Sequence, residues 1–248
     1  MTSWTRRAAT AAVLVTTSAS LVACGGDSDT GAGGDSGSAS AFAEQDGAAI
    51  RDAAGDAMGD LESLRVQGDL TVDGQEISLE LAASTSGDCT GTIGIDGAEA
   101  EVLSVGGESW FRPSEEFWQA QAGSQADQII DLVDGRWVVL GEDDGFSEFC
   151  DLDELLDELV DDSDEDTTYE TGETSDVDGT SAVAVVSTDE DGEVSTGFVA
   201  VDEPHHLLRI EKTEGEDPGS VVFSGFDEEV GASAPADDEI VDLDELGA

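Results

Sequence analysis

The sequence predicts an α+β domain in which helices cover the concave apolar face of one antiparallel sheet of about ten strands. Segments that alternate apolar and polar residues occur in two groups of five, separated by turn signals such as Asp96-Gly97. An apolar, aromatic-rich stretch with helical spacing lies between the two groups, and another helical stretch precedes the first. Helices inserted between two halves of one sheet bury their apolar stripes against it, which predicts their place on its concave face.

The N-terminus predicts export and a lipid anchor. Arg6 and Arg7 precede an uncharged run that ends in Leu21-Val22-Ala23-Cys24. A basic start, an apolar middle and a small-residue cleavage site are typical of a secretory leader, here residues 1–23. The tetrapeptide is a lipobox, so Cys24 is predicted to be acylated and to hold the protein on the extracytoplasmic face of the cell membrane. The alternative is an ordinary secreted protein in which Cys24 is incidental.

Composition separates a tether from a domain. Residues 24–41 are rich in Gly, Ser and Asp and lack periodicity, which predicts a flexible tether, and residues 42–248 are predicted to form one domain. The chain has 8 basic and 60 acidic residues, a formal charge of −52. Such a surface excludes nucleic acid as a partner and repels anionic head groups, so membrane association depends on the lipid of Cys24.

In chain order, the first predicted element is an amphipathic helix from Ile50 to Leu64, because apolar residues recur there every three or four positions. Alternating apolar residues then predict an antiparallel meander. Its five strands are Val66–Val72, Ile77–Ala83, Cys89–Ile95, Ala98–Val102 and Glu108–Arg112.

The helical insertion is predicted to run from Pro113 to Val160. It contains Trp137 and ends in a helix from Leu152 to Val160 with one leucine stripe. The sheet is then predicted to resume with Thr168–Asp176, Ala182–Thr188, Val194–Asp202, His206–Lys212 and Ser220–Phe226.

Besides Cys24 the chain has two cysteines, Cys89 and Cys150. An even pair in an exported chain predicts a disulfide. Because Cys89 begins a strand and Cys150 precedes the last helix of the insertion, this bond would attach the insertion to the sheet and stabilise the fold by roughly 4 kcal/mol.

The sequence predicts no catalytic residues, no metal and no cofactor. His205 and His206 are adjacent and would point to opposite faces of a strand, which prevents them from sharing a metal. An EF-hand-like spacing occurs in the acidic segment, but Thr167 stands where the calcium loop needs glycine. We therefore expect a solvated acidic loop there. Since no catalytic residues are predicted, we also expect no enzyme activity.

The sequence resembles actinobacterial lipoproteins of the LppX and LprG type, which share the fold of the LolA lipoprotein carrier. The resemblance rests on the lipobox, a short helix, and strand and turn patterns over nearly all of residues 42–243. These are "LRVQGDLTVDGQEISLELAASTSGDCTGTIGIDGAEAEVLSVGGESWF", "DGRWVVL", "SDVDGTSAVAVV" and "GSVVFSGFDEEVGASAPADDEIVDL". The resemblance implies a half-barrel curled over helices, with an apolar cavity that holds the acyl chains of a lipid or lipoglycan.

The walls of that cavity follow from the inward strand positions and the apolar helix positions. Each residue could equally be packed core, because sequence does not distinguish an apolar lining from an apolar core. The predicted lining residues are Leu70, Val72, Leu79, Leu81, Ile93, Ile95, Phe117, Trp118, Ile129, Val133, Leu155 and Leu159.

The predicted function is that of a membrane-anchored lipid carrier of the cell envelope. The alternative is a LolA-like sensor or regulatory lipoprotein that binds a partner protein.

Overall fold

The protein is built on a single twelve-stranded sheet, in a computed structural model that describes residues 36–72, 74–141, 150–160, 167–213, 215 and 217–243. The strands are β1 (Ser63–Val72), β2 (Gln75–Ser84), β3 (Cys89–Ile95), β4 (Ala98–Val105), β5 (Glu108–Pro113), β6 (Trp137–Val139), β7 (Thr168–Val177), β8 (Thr180–Thr188), β9 (Val194–Ala200), β10 (Leu207–Lys212), β11 (Gly219–Ser224) and β12 (Ile240–Val241). The helices are α1 (Ser36–Ala43), α2 (Gly47–Gly59), α3 (Glu115–Ala122), α4 (Ala126–Val133) and α5 (Leu152–Val160).

The strand order is β12-β6-β5-β4-β3-β2-β1-β11-β10-β9-β8-β7. All neighbours are antiparallel except β12 and β6, which are parallel. Strand β11 returns to pair with β1, where Val66 lies opposite Phe223, and this pairing joins the two groups of strands. The sheet is curled and does not close, because β12 and β7 form its two edges. The predicted α+β class and curled antiparallel sheet are confirmed.

The predicted count of about ten strands is wrong, because β6 and β12 are additional. Strand β6 comes from the tryptophan segment that the sequence assigned to the helical insertion, and β12 from the C-terminal segment. They have three and two residues. Such short strands give no detectable alternation, and only pairing with β5 and with each other makes them strands.

The N-terminal elements differ from prediction at two boundaries. Helix α1 begins at Ser36, inside the segment predicted to be flexible tether. Helix α2 ends at Gly59, and Leu64, predicted to close the helical stripe, belongs to β1. The apolar spacing continues past Gly59 because Leu61 and Leu64 are both buried in the same core from non-helical positions.

Helices and strands share their largest core on the concave face. There, α2 contributes Ile50 and Met58, α5 contributes Leu152 and Leu155, and strand residues such as Val199 complete the cluster. A second core on the same face lies between β2, β3, β4, β5 and α3. The helices therefore lie on the concave face of the sheet, as predicted.

A disulfide joins Cys89 to Cys150, as predicted, with their Cα atoms 5.2 Å apart. Cys89 is the first residue of β3 and Cys150 lies two residues before α5. Both cysteines are buried in the concave-face core. The bond thus attaches the start of α5 to the sheet.

Candidate functional site

The candidate site is a cavity of about 130 Å³ between α2 and strands β7–β10. Helix α2 forms one wall through Arg51 and Ala54, and the sheet forms the floor. The remaining lining residues are Thr167, Tyr169, Val185, Ser187, Ser195, Gly197, Val199, Leu207 and Ile210.

The floor changes from polar to apolar along the strands. Tyr169, Ser187 and Ser195 lie opposite one another on β7, β8 and β9, and we call them the polar row. The hydroxyl oxygens of Ser187 and Ser195 are 2.7 Å apart, within hydrogen-bonding distance.

The next two rows are apolar. The first consists of Val185, Gly197 and Ile210, and the second contains Val199 opposite Leu207. Val199 is only 2% exposed, whereas the polar-row side chains are partly exposed. The cavity therefore has a hydroxyl-lined end and a buried aliphatic end.

The N-terminus of α2 is held close to β7. Asp46 caps the helix by accepting a hydrogen bond from the Ala48 amide at 3.1 Å. The Thr171 hydroxyl of β7 donates to the Gln45 carbonyl at 2.7 Å. At Gly47, a Cβ atom would come within 2.8 Å of the Tyr169 backbone, so only glycine permits this approach. These contacts place Arg51, one turn along, beside the polar row.

A second concavity, of about 490 Å³, lies at the end of the β1–β2 hairpin. Leu70 and Ile77 provide its apolar surface. Gly219, the first residue of β11, and Pro218, which precedes it, border the concavity. Val72 is 44% exposed at the end of β1. This concavity is open to solvent and is lined in part by the carboxylates of Asp69 and Glu76.

Most of the residues predicted to line a cavity are distributed over three cores, whereas Val72 is exposed. The second concave-face core contains Leu79, Leu81, Ile93 and Phe117, with Leu70 and Ile95 packed against it. Trp118, Ile129 and Val133 pack with Val138 and Val241 at the β6–β12 edge, and Leu155 lies in the largest core. The Leu159 side chain lies outside the described residues, as do Asp162, Asp164 and Asp166 of the EF-hand-like spacing.

None of the predicted residues is among the described residues that line the α2 cavity. Their role in lipid binding stays a prediction. The missed signal lies in β8 and β9, where the inward positions change from valine to Ser187, Ser195 and Gly197. Small residues at positions that otherwise bury large ones leave space beneath a helix.

The two histidines stack on rings in different places. His205 lies parallel to Phe42 with ring centroids 3.6 Å apart, and His206 stacks on Phe226 at 4.1 Å. Burial lowers the pKa of His206, and the Asp227 carboxylate partly opposes this shift.

Throughout the described residues, no three His, Cys, Asp or Glu side chains cluster closely enough to hold a metal ion. No helix within the described ranges combines the length and hydropathy that crossing a membrane requires.

Comparison with solved structures identifies the fold. It is that of lipoprotein LppX from Mycobacterium tuberculosis, with a TM-score of 0.50 and 18% identity over 78% of this chain and 99% of LppX. LprF from Mycobacterium bovis gives a TM-score of 0.53 and 15% identity over 76% of this chain and 96% of LprF. A LolA superfamily protein from Nitrosomonas europaea also matches, with a TM-score of 0.23 and 9% identity over 77% and 96%. No family model and no curated protein sequence matches the chain.

Proposed function

We propose that the protein is a membrane-anchored carrier that buries an acyl chain of a lipid or lipoglycan on the concave face of its sheet. The observation that carries this proposal is the cavity under α2, whose aliphatic rows end in Val199 and Leu207. The fold shared with lipoprotein LppX and the lipobox at Cys24 support the same function. The protein acts by reversible burial and needs no catalytic group.

The cavity volume limits what is buried at one time. A cavity of about 150 Å³ holds a benzene molecule, so the 130 Å³ here accommodates about six carbon atoms of one chain. A longer chain must extend through the open side or displace α2. The glycines at positions 55 and 59 lower the helix propensity of α2 by up to about 1 kcal/mol each relative to alanine, which favours such a displacement.

Replacing Gly197 with leucine should remove co-purifying lipid without unfolding the protein. A Cβ atom at this position would lie 3.4 Å from the nearest Leu207 carbon, which is ordinary contact, and the longer side chain would fill the cavity. Native mass spectrometry of protein purified from a bacterial membrane should show lipid-sized adducts for the wild type and none for Gly197→Leu. The thermal unfolding midpoint of Gly197→Leu should equal or exceed that of the wild type, because a strand loses a glycine and a void is filled.

Thr196→Leu is the matched control, because Thr196 is the neighbouring residue of β9 and points to the opposite face. It should retain the lipid. The absence of adducts from the wild type, or equal adducts on Gly197→Leu and the wild type, would contradict burial in this cavity.

Replacing Cys24 with alanine should release the protein from the membrane into the medium, because the acyl chains of Cys24 provide its anchor. Fractionation of cells that express each form measures this directly. The lipobox interpretation fails if the alanine variant stays in the membrane fraction as fully as the wild type does.

The alternative function, a sensor or regulator that binds a partner protein, remains a prediction. A defined membrane partner captured equally by the wild type and by Gly197→Leu would favour it, since binding would then not require the cavity.

A further inference from the structure

Two serines on neighbouring strands lie at the outer end of the cavity under α2. Ser187 is the second-last residue of β8 and Ser195 is the second residue of β9, and the two lie opposite each other in the strand register. Both serines line the cavity and both are partly exposed. The pair therefore lies at the rim of the sheet, where the cavity meets solvent.

Burial increases inward from this rim along both strands. Two residues inward from the serines the floor consists of Val185 and Gly197, and two residues further along β9 lies Val199, which is 2% exposed. At about 3.3 Å per residue, Val199 is roughly 13 Å from Ser195 along the strand. Leu207, opposite Val199, is also buried. These inner side chains contain only carbon and hydrogen, so a polar group that reached them would lose its water and gain no hydrogen bond from them.

The two serine hydroxyls can satisfy each other and still offer a ligand a hydrogen bond. Their oxygens are 2.7 Å apart, and the Ser187 hydroxyl oxygen also lies 3.3 Å from the Ser195 carbonyl oxygen. A hydroxyl carries one hydrogen and two lone pairs, and it rotates to suit its partners. When Ser187 donates to the Ser195 hydroxyl, the hydrogen of Ser195 is left for an acceptor on a ligand, and the lone pairs of the two oxygens can accept from a donor.

A second serine pair shows what distinguishes this one. The Ser109 hydroxyl of β5 donates to the Ser104 hydroxyl of β4 at 3.2 Å, also across neighbouring strands. Ser104 is only 5% exposed, and neither of these two serines lines the cavity under α2. A serine pair across two strands is thus an ordinary way to satisfy two hydroxyls within the sheet. The Ser187–Ser195 pair, in contrast, lies at the entrance to an aliphatic interior.

We infer that Ser187 and Ser195 bind the polar end of the ligand at the rim, and that the cavity selects chains with one polar end and an unsubstituted methyl group at the other. This inference rests on the proposed function and adds the orientation and the chain class of its ligand. The methyl end enters first, over Gly197, and reaches Val199 and Leu207. Chains with an oxygen at both ends are excluded, because the inner oxygen would be buried among aliphatic side chains without a hydrogen bond.

The test compares two six-carbon isomers, 1,2-hexanediol and 1,6-hexanediol. They have the same atoms, but both hydroxyls are at one end in the first and one is at each end in the second. Each is titrated into the full-length chain freed of co-purified lipid, and binding is followed by NMR at the Gly197 amide in the cavity floor. The 1,2-isomer should bind about tenfold tighter, a ratio typical of one buried hydroxyl left without a partner.

The role of the serines is tested with the double variant Ser187→Ala/Ser195→Ala. It should bind 1,2-hexanediol about fivefold more weakly than the wild type does, the ratio that corresponds to one neutral hydrogen bond. The matched control is Ser104→Ala/Ser109→Ala, which removes the other cross-strand pair and should leave the affinity unchanged.

Equal binding of the two isomers to the wild type, or equal effects of the two double variants, would overturn the inferred orientation and leave the carrier function standing, because chains would still bind. The comparison of isomers needs no variant, so it holds even if a double variant fails to fold. If neither isomer shifts the Gly197 amide of the wild type, the cavity does not bind chains and the proposed function fails with the inference.

Discussion

Removing the Cys89–Cys150 disulfide by changing both cysteines to alanine should lower the free energy of unfolding by about 4 kcal/mol. The bond closes a segment of 61 residues. Without it the unfolded chain regains the conformational freedom of that segment, which the chain-entropy relation converts to about 4 kcal/mol. Urea denaturation followed by tryptophan fluorescence measures the change.

The double variant avoids the free thiol that a single substitution would leave in the core. It also tests whether the bond attaches the helix, because Leu152 and Leu155 of α5 pack in the core that contains both cysteines. Amide exchange in α5 should increase more than in β10, which pairs with two strands. Reduced wild-type protein should unfold at the same urea concentration as the variant. A loss below about 1 kcal/mol would show that packing holds α5 without the bond.

Replacing Gly91 with valine should destabilise the protein by about 3 kcal/mol, the upper part of the range for overpacking. A Cβ atom at Gly91 would collide with the Glu80 carbonyl oxygen and lie 2.8 Å from the Leu81 Cα atom, both in the neighbouring strand β2. These are backbone atoms, so no side-chain movement relieves the contact. Gly91 lies opposite Leu81 and Val102 on the concave face, where the curled sheet brings strands β2 and β3 close together.

The matched control is Gly55→Ala, since Gly55 of α2 has open space around the position of a Cβ atom. This variant should gain up to about 1 kcal/mol from helix propensity. Urea denaturation of both variants separates the effect on stability of losing a glycine from the effect of the steric collision. If Gly91→Val were as stable as Gly55→Ala, the close approach of β2 and β3 would not constrain this position.

The strands and turns were predictable because their signals are local. Turn Asp96-Gly97 illustrates this: both residues have positive φ values, 51° and 81°, as the hairpin signal requires. Strands β3 and β4, on either side of this turn, show a two-residue alternation that needs no partner to be recognised. The disulfide was predictable because, once Cys24 is assigned to the lipobox, Cys89 and Cys150 are the two cysteines that remain.

The cavity was not predictable, because its volume depends on how much of the space over the sheet is filled by the side chains of a helix. Leu79 and Val199 are both buried inward residues, one on each half of the sheet, and the apolar alternation is the same at both. Phe117 from α3 fills the space over the first half, whereas α2 presents Ala54 and Arg51 over the second. Whether an inward residue is core or lining depends on the volume of the side chain opposite, which belongs to a distant part of the chain.

The sequence predicts the sheet segments and the cysteine pair correctly, since each is a pattern between residues near in the chain or a count of one residue type, and the lipobox stays a prediction. The sequence does not predict that β11 lies beside β1, that β12 pairs with β6, or that Arg51 stands over the Tyr169 ring of the polar row. Packing between distant segments places Arg51, the polar row and an aliphatic floor around one cavity, and no local periodicity encodes that placement.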